Sequence, residues 1–404
     1  MKKAAFYTLG CKVNQYETEA MAELFADSGY EIKEFTEVAD VYVINTCSVT
    51  NMGDRKSRQI IRRAKKLNPN AVIAVTGCYA QTAPDEVLAI EGVNLVLGTK
   101  DRKNIVTLVE ELNTESNINH VSDIMSNHEF EELQIKQYSN RTRAFIKIQE
   151  GCNQFCSYCI IPYARGPVRS RAKDDVVREI KELARFKEII LVGIHVASYG
   201  VDLGDTTLES LIMDVDKIDG VERIRLSSIE PMTLNQEFID SIKDSKKLCH
   251  HFHISLQSGC DETLKRMNRK YTTAQFKGIV DGLREAFDDV AITTDIMVGF
   301  PDESDEEFNK TVEFVRNIKF ADAHVFQYSQ RRGTPAAKRP NQISPDVKEK
   351  RSKIIIAETQ KTRDEFINRF IGKTMRVLFE QPAKDGLFEG KTDNYITVHA
   401  PSDI

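Results

Sequence analysis

Short, unbroken apolar runs separated by amphipathic stretches recur along most of this chain, and that rhythm admits few folds. A strand buried on both faces reads as a continuous apolar run, and alternation of such runs with helices is the pattern of a parallel α/β sheet. In the first ~110 residues the runs are AAFYTLG, VADVYVINTC, AVIAVTGC and VNLVLG. Between them lie the helical stretch QYETEAMAELFADSGY, which closes at Gly29, a basic helix over 52–67 stopped by Asn68-Pro69-Asn70, and PDEVLAIEG. Residues 113–143 are polar with little periodicity and read as a linker. From 144 the rhythm resumes in AFIKIQ, EIILVGI, RIRLSSI, HFHISL, AITTDIMVGF and ADAHVFQY, with helices such as DDVVREIKELARF and DEEFNKTVEFVRNI between them. Six such units predict a whole or partial TIM-like barrel with its active site at the C-terminal ends of the strands. From 373 to 404 the short strands GKTMRVLFEQ, LFEGKTD and YITVHAP predict the start of a small, incomplete β-module. The expected division is therefore 1–112, a linker at 113–143, a barrel at 144–372 and the β-module at 373–404.

A length of 404 residues agrees with two or three domains. The proportions, 41% hydrophobic and 29% charged, are those of a soluble globular protein. No run of about 18 apolar residues is present, so no membrane span is expected. The opening MKKAAFYTLGCK lacks a long apolar region and a small-residue cleavage site, and reads as a first strand rather than a signal peptide. A cytoplasmic location follows. There, eight cysteines favour metal binding or catalysis over structural disulfides. Net charge is −5, which announces no polyanionic partner, but the charge is uneven. Residues 55–66 hold seven Lys or Arg and no acid, and residues 331–363 hold ten bases against three acids. Either stretch can follow a phosphate backbone or be a solvated helix face.

The densest chemical signal is GCNQFCSYC at 151–159, where Cys152, Cys156 and Cys159 follow the run AFIKIQ in a C-x3-C-x2-C spacing. Iron–sulfur clusters are held by Cys thiolates. Three ligands on a four-iron cluster leave one iron open to the amino and carboxylate groups of a methionine moiety. The competing reading is a zinc loop, although zinc sites more often pair C-x2-C units. Cys11, Cys47 and Cys78 each fall at the C-terminal end of an apolar run, 36 and 31 residues apart. Ligands of parallel α/β sheets bind at that edge. These three are either a second set of thiolate ligands or small buried hydrophobes at strand ends. Cys249 and Cys260 match no ligand pattern.

The ordered segments TLGCKVNQYETE, VINTCSVT, TGCYAQ, GCNQFCSYCIIPYARG, RLSSIEP, HISLQSG, MNRKYT, DIMVGFPDES and YSQRRGTPAA make the chain similar to the radical S-adenosylmethionine (SAM) methylthiotransferases over residues 1–372. A fragment resembling the family's C-terminal TRAM-like RNA-binding β-module follows. The resemblance implies two [4Fe-4S] clusters. The one on Cys152, Cys156 and Cys159 binds SAM and reduces it to a 5′-deoxyadenosyl radical, which takes hydrogen from an unreactive substrate carbon. The other, at Cys11, Cys47 and Cys78, delivers sulfur, and a second SAM supplies the methyl group. Tyr158 lies where family members contact the SAM adenine.

Gly193, Glu230, Gln257, Arg269 and Gly299 end strands or sit in loops at the same mouth, as SAM or substrate contacts or as structural groups. Arg165, Arg169 and Arg171 suit a phosphate-bearing substrate or a solvated loop, and His195, His251 and His253 read as packing residues. The wording of the motifs is most similar to the class that modifies threonylcarbamoyladenosine beside the tRNA anticodon. The alternatives are isopentenyladenosine, a ribosomal-protein aspartate, and a non-enzymatic two-cluster electron carrier. An electron donor such as flavodoxin or ferredoxin is a further implied partner.

Overall fold

The computed structural model describes residues 1–112, 117–135 and 142–401. Its first sheet contains β1 (Lys3–Thr8), β2 (Glu31–Lys33), β3 (Val41–Thr46), β4 (Val72–Gly77), β5 (Leu95–Leu97) and β6 (Ile118–His120). All six run parallel in the order β2-β1-β3-β4-β5-β6. Every residue of β3 is buried because helices cover both faces. Tyr42 and Ile44 pack with Ile60, Ile61 and Ala64 of the helix Asn51–Leu67. Val41 and Val43 pack with Met21 and Phe25 of the helix Lys12–Asp27.

Two of these strands carry no apolar run. β2 and β6 are three-residue edges, and all of β6 is exposed. Their stability comes from backbone pairing, which leaves no trace in hydropathy. β6 also corrects the linker reading. Of residues 117–135, three form a strand of the sheet and Ile124, Leu133 and Ile135 are buried. Few residues in that polar stretch pack, but those few are fixed. Residues 113–116 and 136–141 of the expected linker lie outside the described residues.

The second unit contains β7 (Arg143–Glu150), β8 (Arg169–Ser170), β9 (Glu188–Gly193), β10 (Arg223–Leu226), β11 (His251–His253), β12 (Ala291–Val298) and β13 (Asp322–Gln327). Apart from β8, these run parallel in chain order. The contact from β10 to β11 passes through single bridges, Ile224 to Leu248 and Ile229 to Ile254. β8 pairs antiparallel on the free edge of β7. Among the described residues β13 and β7 do not pair, so six strands form an open barrel. Ile146, Ile148, Ile189 and Leu191 join the core under the outer helices. The alternate residues Ile190 and Val192 instead meet Val13 of the helix Lys12–Asp27, so the first unit leans on the barrel's other face.

β14 (Val377–Pro382), β15 (Leu387–Thr392) and β16 (Thr397–Pro401) form an antiparallel meander. It seals the N-terminal end of the barrel, opposite the cysteines. Arg223 reaches Asp393 at 2.6 Å, Arg225 lies 4.8 Å from the Tyr395 ring, and His251 stacks on that ring at 4.6 Å. Three strands alone are marginal in water, and this docking supplies the missing packing. No helix among the described residues is long and apolar enough to cross a membrane.

Candidate active site: two cysteine triads

β1, β3 and β4 are adjacent and in register, with Thr8 beside Asn45 and Thr46 beside Gly77. The chain turns immediately after each of them, which sets Cys11, Cys47 and Cys78 on one edge. Cys11 is exposed, Cys47 half-buried and Cys78 buried. The packing is close: a Cβ on Gly10 would lie 3.1 Å from the Cys47 Sγ. Asn14 gathers the turns, its Nδ2 donating to the Leu9 carbonyl at 2.7 Å and the Thr46 carbonyl at 3.0 Å. Burial, then the neighbouring Cys78, pushes the Cys47 thiol up to about 12. Burial also raises Cys78, against the opposing pull of Arg165.

Cys152, Cys156 and Cys159 occupy the loop after β7, at the barrel's C-terminal mouth. Gly151 makes this loop possible, because at φ +75° a Cβ there would fall 1.7 Å from the Pro167 carbonyl oxygen. Phe155 also adopts a left-handed backbone at φ +46°, and Asn268 Nδ2 holds its carbonyl at 2.9 Å. Ser157 is tied to Arg266 and Met267 by bonds of 2.8 and 3.0 Å. Burial raises the Cys152 thiol to about 11 and the Cys159 thiol to about 12, with Cys156 adding to both.

Arg269 organises the wall beside this loop. Its Nη1 lies 3.2 Å from the Cys156 Sγ, and its Nη2 donates to Glu230 at 2.7 Å and to the Ser255 carbonyl at 3.2 Å. Glu230 and Arg269 are therefore one buried pair. Gln257 sits at φ +65°, with its Oε1 buried and unpartnered among the described residues. The ring of Tyr158 meets Phe300, and burial pushes its phenol well up. Gly193 and Gly299 also lie at strand ends, but the protein itself fills the space a side chain would need. A Cβ would meet Gln149 Oε1 at 2.9 Å in one case and Lys348 Cγ at 2.3 Å in the other.

The histidines divide. His251 and His253 both bond Thr293 Oγ1, as packing residues do. His195 uses Nδ1 on Ser198, whereas its buried Nε2 makes no hydrogen bond and lies 3.9 Å from Glu230. Cys249 and Cys260 are buried apart from both triads, beside Arg225 and Glu262 respectively.

Residues 3–98 match the model described as uncharacterized protein family UPF0004, and residues 146–315 match the Radical SAM superfamily. The threonylcarbamoyladenosine tRNA methylthiotransferase MtaB of Bacillus subtilis (strain 168) is 46% identical, with 98% of this chain and 90% of that protein covered. The chain belongs to the radical-SAM methylthiotransferase family. A second methylthiotransferase relative, the tRNA-2-methylthio-N(6)-dimethylallyladenosine synthase of Acetivibrio thermocellus, is 35% identical, covering 98% of this chain and 85% of its own. Among solved structures, the radical SAM methyltransferase TsrM of Kitasatospora setae superposes with a TM-score of 0.60 at 16% identity, covering 83% and 77% of the two chains, and shares the fold.

The donor sets of this methylthiotransferase suit iron–sulfur clusters: two groups of three thiols, each with a guanidinium on one sulfur. Among the described residues no group of three or more Cys, His, Asp or Glu side chains is already arranged around a metal-sized space. The unpartnered Gln257 Oε1 and His195 Nε2 are free acceptors or donors for a polar ligand in the mouth.

Two expectations fail here. Arg165, Arg169 and Arg171 are fully buried and internally bonded, so they offer nothing to a phosphate. Most of the basic stretch 331–363 is neutralised as well: Arg331 pairs with Asp54, Arg339 with Asp302, and Arg351 with Glu303 and Asp305.

What the sequence reading missed is a buried charge network joining the triads. Arg102, Lys147 and Arg165 meet Glu17, Glu131 and Glu150 at 2.5–3.4 Å. The only sequence signal was a lysine inside the apolar run AFIKIQ.

Proposed function

We propose that this enzyme adds a methylthio group to C2 of N6-threonylcarbamoyladenosine at position 37 of tRNA, with SAM and two [4Fe-4S] clusters, in the cytoplasm. The observation that carries this reading is near-full-length similarity, at 46% identity, to a relative named for that substrate, in a chain that carries two cysteine triads. Cys152, Cys156 and Cys159 would hold the cluster that engages SAM, and Cys11, Cys47 and Cys78 the second. When bound, these groups supply the reducing electron, the organic radical and the transferable sulfur. The chain's own residues hold the sulfur ligands in place, wall the mouth with Tyr158, Glu230 and Arg269, and present Gln257 to a polar ligand. Gly193 and Gly299 shape the strand ends behind them.

The helix Asn51–Leu67 supports an RNA substrate. Its residues Arg55, Lys56, Arg62, Arg63 and Lys66 are exposed and carry no ion pair among the described residues. It begins four residues after Cys47, and its first turns line an open hollow of about 510 Å³. With β6 counted in the first sheet, each of the two large units carries one cysteine triad.

The 35% identical relative named for dimethylallyladenosine sustains a second reading, with that nucleoside as substrate. The test is anaerobic. The reconstituted enzyme, a reductant such as flavodoxin, SAM and tRNA from cells lacking the activity are combined, and the nucleosides are analysed by mass spectrometry. A mass gain on threonylcarbamoyladenosine supports the reading, and a gain on dimethylallyladenosine replaces it with the second.

A further inference from the structure

We propose that Arg165 is the positioning residue that ties the Cys11/Cys47/Cys78 triad to the Cys152/Cys156/Cys159 loop and tunes the first through a direct N–H···S hydrogen bond to Cys78. The inference rests on the reading that the first triad holds a cluster.

Arg165 ends the helix Ile161–Arg165, which starts two residues after Cys159. No part of it is exposed. Its Nε donates to the Cys78 Sγ at 3.3 Å. Its Nη2 donates to Asn14 Oδ1 at 2.5 Å and Glu17 Oε2 at 3.1 Å. Its Nη1 donates to Glu17 Oε1 at 2.6 Å and Glu150 Oε1 at 2.5 Å. A guanidinium has five N–H groups in a rigid fork, and here all five are committed.

The acceptors decide what the residue does. Cys78 is itself a member of the first triad. Asn14 holds the carbonyls of Leu9 and Thr46, two residues before Cys11 and one before Cys47. Glu150 stands two residues before Cys152 at the end of β7. One planar cation thus touches the frame of all three first-triad cysteines and the root of the second loop. Lysine has neither the fork nor five donors, so it cannot make the same set of contacts. A cationic donor on a ligand sulfur stabilises the more negative, reduced state of a cluster and so raises its potential. This role also explains why a charged side chain is buried where a merely structural contact would be cheaper as an apolar one.

The test uses the full chain with Cys152, Cys156 and Cys159 replaced by alanine, so that only the first triad can load. Iron and sulfide per chain, and the midpoint potential by EPR-monitored titration, are measured for Arg165, Arg165→Lys and Arg165→Gln. The expected result is a loaded parent and a lower potential in Arg165→Gln. At a fixed poise its reduced-to-oxidised ratio falls about tenfold, which is 59 mV for one electron. Arg165→Lys keeps the buried charge and carries the test should the glutamine variant not fold; its shift has the same sign and is smaller. Equal potentials in the arginine and lysine proteins overturn the hydrogen-bond role. A parent that takes up no iron overturns the cluster reading beneath it.

Discussion

Single residues at the mouth carry more than one duty, and substitution separates them. Removing Arg269 leaves Glu230 buried without its charge partner, which costs about 3–5 kcal/mol in other buried pairs. Arg269→Ala is expected to lower the denaturant midpoint of the apo protein, and Arg269→Lys to recover part of the loss; an unchanged midpoint in the alanine variant would contradict the pairing. Gly151→Ala places a Cβ on the Pro167 carbonyl and demands a left-handed backbone from alanine. Its expected effect is loss of iron at the adjacent loop alone, so iron per chain falls by about one cluster's content. Cys249 is buried, with its thiol raised to about 12 by desolvation, and touches neither triad. Cys249→Ser should therefore leave iron content unchanged, and analysis of the reconstituted protein decides it. The cysteine spacing was legible at this scale. The orphaned Gln257 Oε1 and His195 Nε2 were not, because whether a polar atom finds a partner depends on neighbours far away in the chain.

At the scale of elements, the helix Asn51–Leu67 and the stretch 331–363 show why local charge is an incomplete guide. Both are basic in sequence. In the first, Ser57, Ile60, Ile61 and Ala64 turn one face to the sheet, and Arg55, Lys56, Arg62, Arg63 and Lys66 stand exposed on the other. In the second, carboxylates from distant elements such as Asp302 and Glu303 cancel the charge. Only the first is expected to meet a phosphate backbone. The double change Arg62→Glu with Arg63→Glu should weaken tRNA binding at low salt. It should also flatten the log Kd against log salt slope by about 0.9 for each phosphate the helix no longer neutralises. Arg339→Ala in the second stretch should leave that slope unchanged. Strand elements were legible wherever they are buried on both faces, as in β3. β2 and β6 escaped because an edge held by backbone pairing needs no apolar side chains.

At the scale of the whole molecule, the buried network sets how the two units respond to acid. Burial alone would raise the Glu17 carboxyl, but Arg102, Arg165 and Lys147 outweigh it and hold Glu17 at about 2, against an ordinary 4.5. Glu150 is held well below its usual range by Lys147, Arg102 and Arg165 for the same reason, against the same burial. A folded-state pKa below the unfolded value means stabilisation that is complete above pH 4.5 and lost as pH falls toward 2. The stability difference between wild type and Glu17→Gln is therefore expected to narrow over that window; a constant difference from pH 6 to pH 3 in denaturant titrations would refute it. The sequence by itself determined the parallel α/β class, the six-strand barrel unit and the two sets of three cysteines. These are local properties: hydrophobic period, turn chemistry, and cysteines a few residues apart or at strand ends. Only the tertiary structure decided that Arg165 faces Cys78 rather than a substrate, that Ile118–His120 complete a sheet, and that β14–β16 close the far end of the barrel. Each depends on contacts between residues that lie far apart in the chain, and neither composition nor periodicity constrains which distant groups a fold brings together.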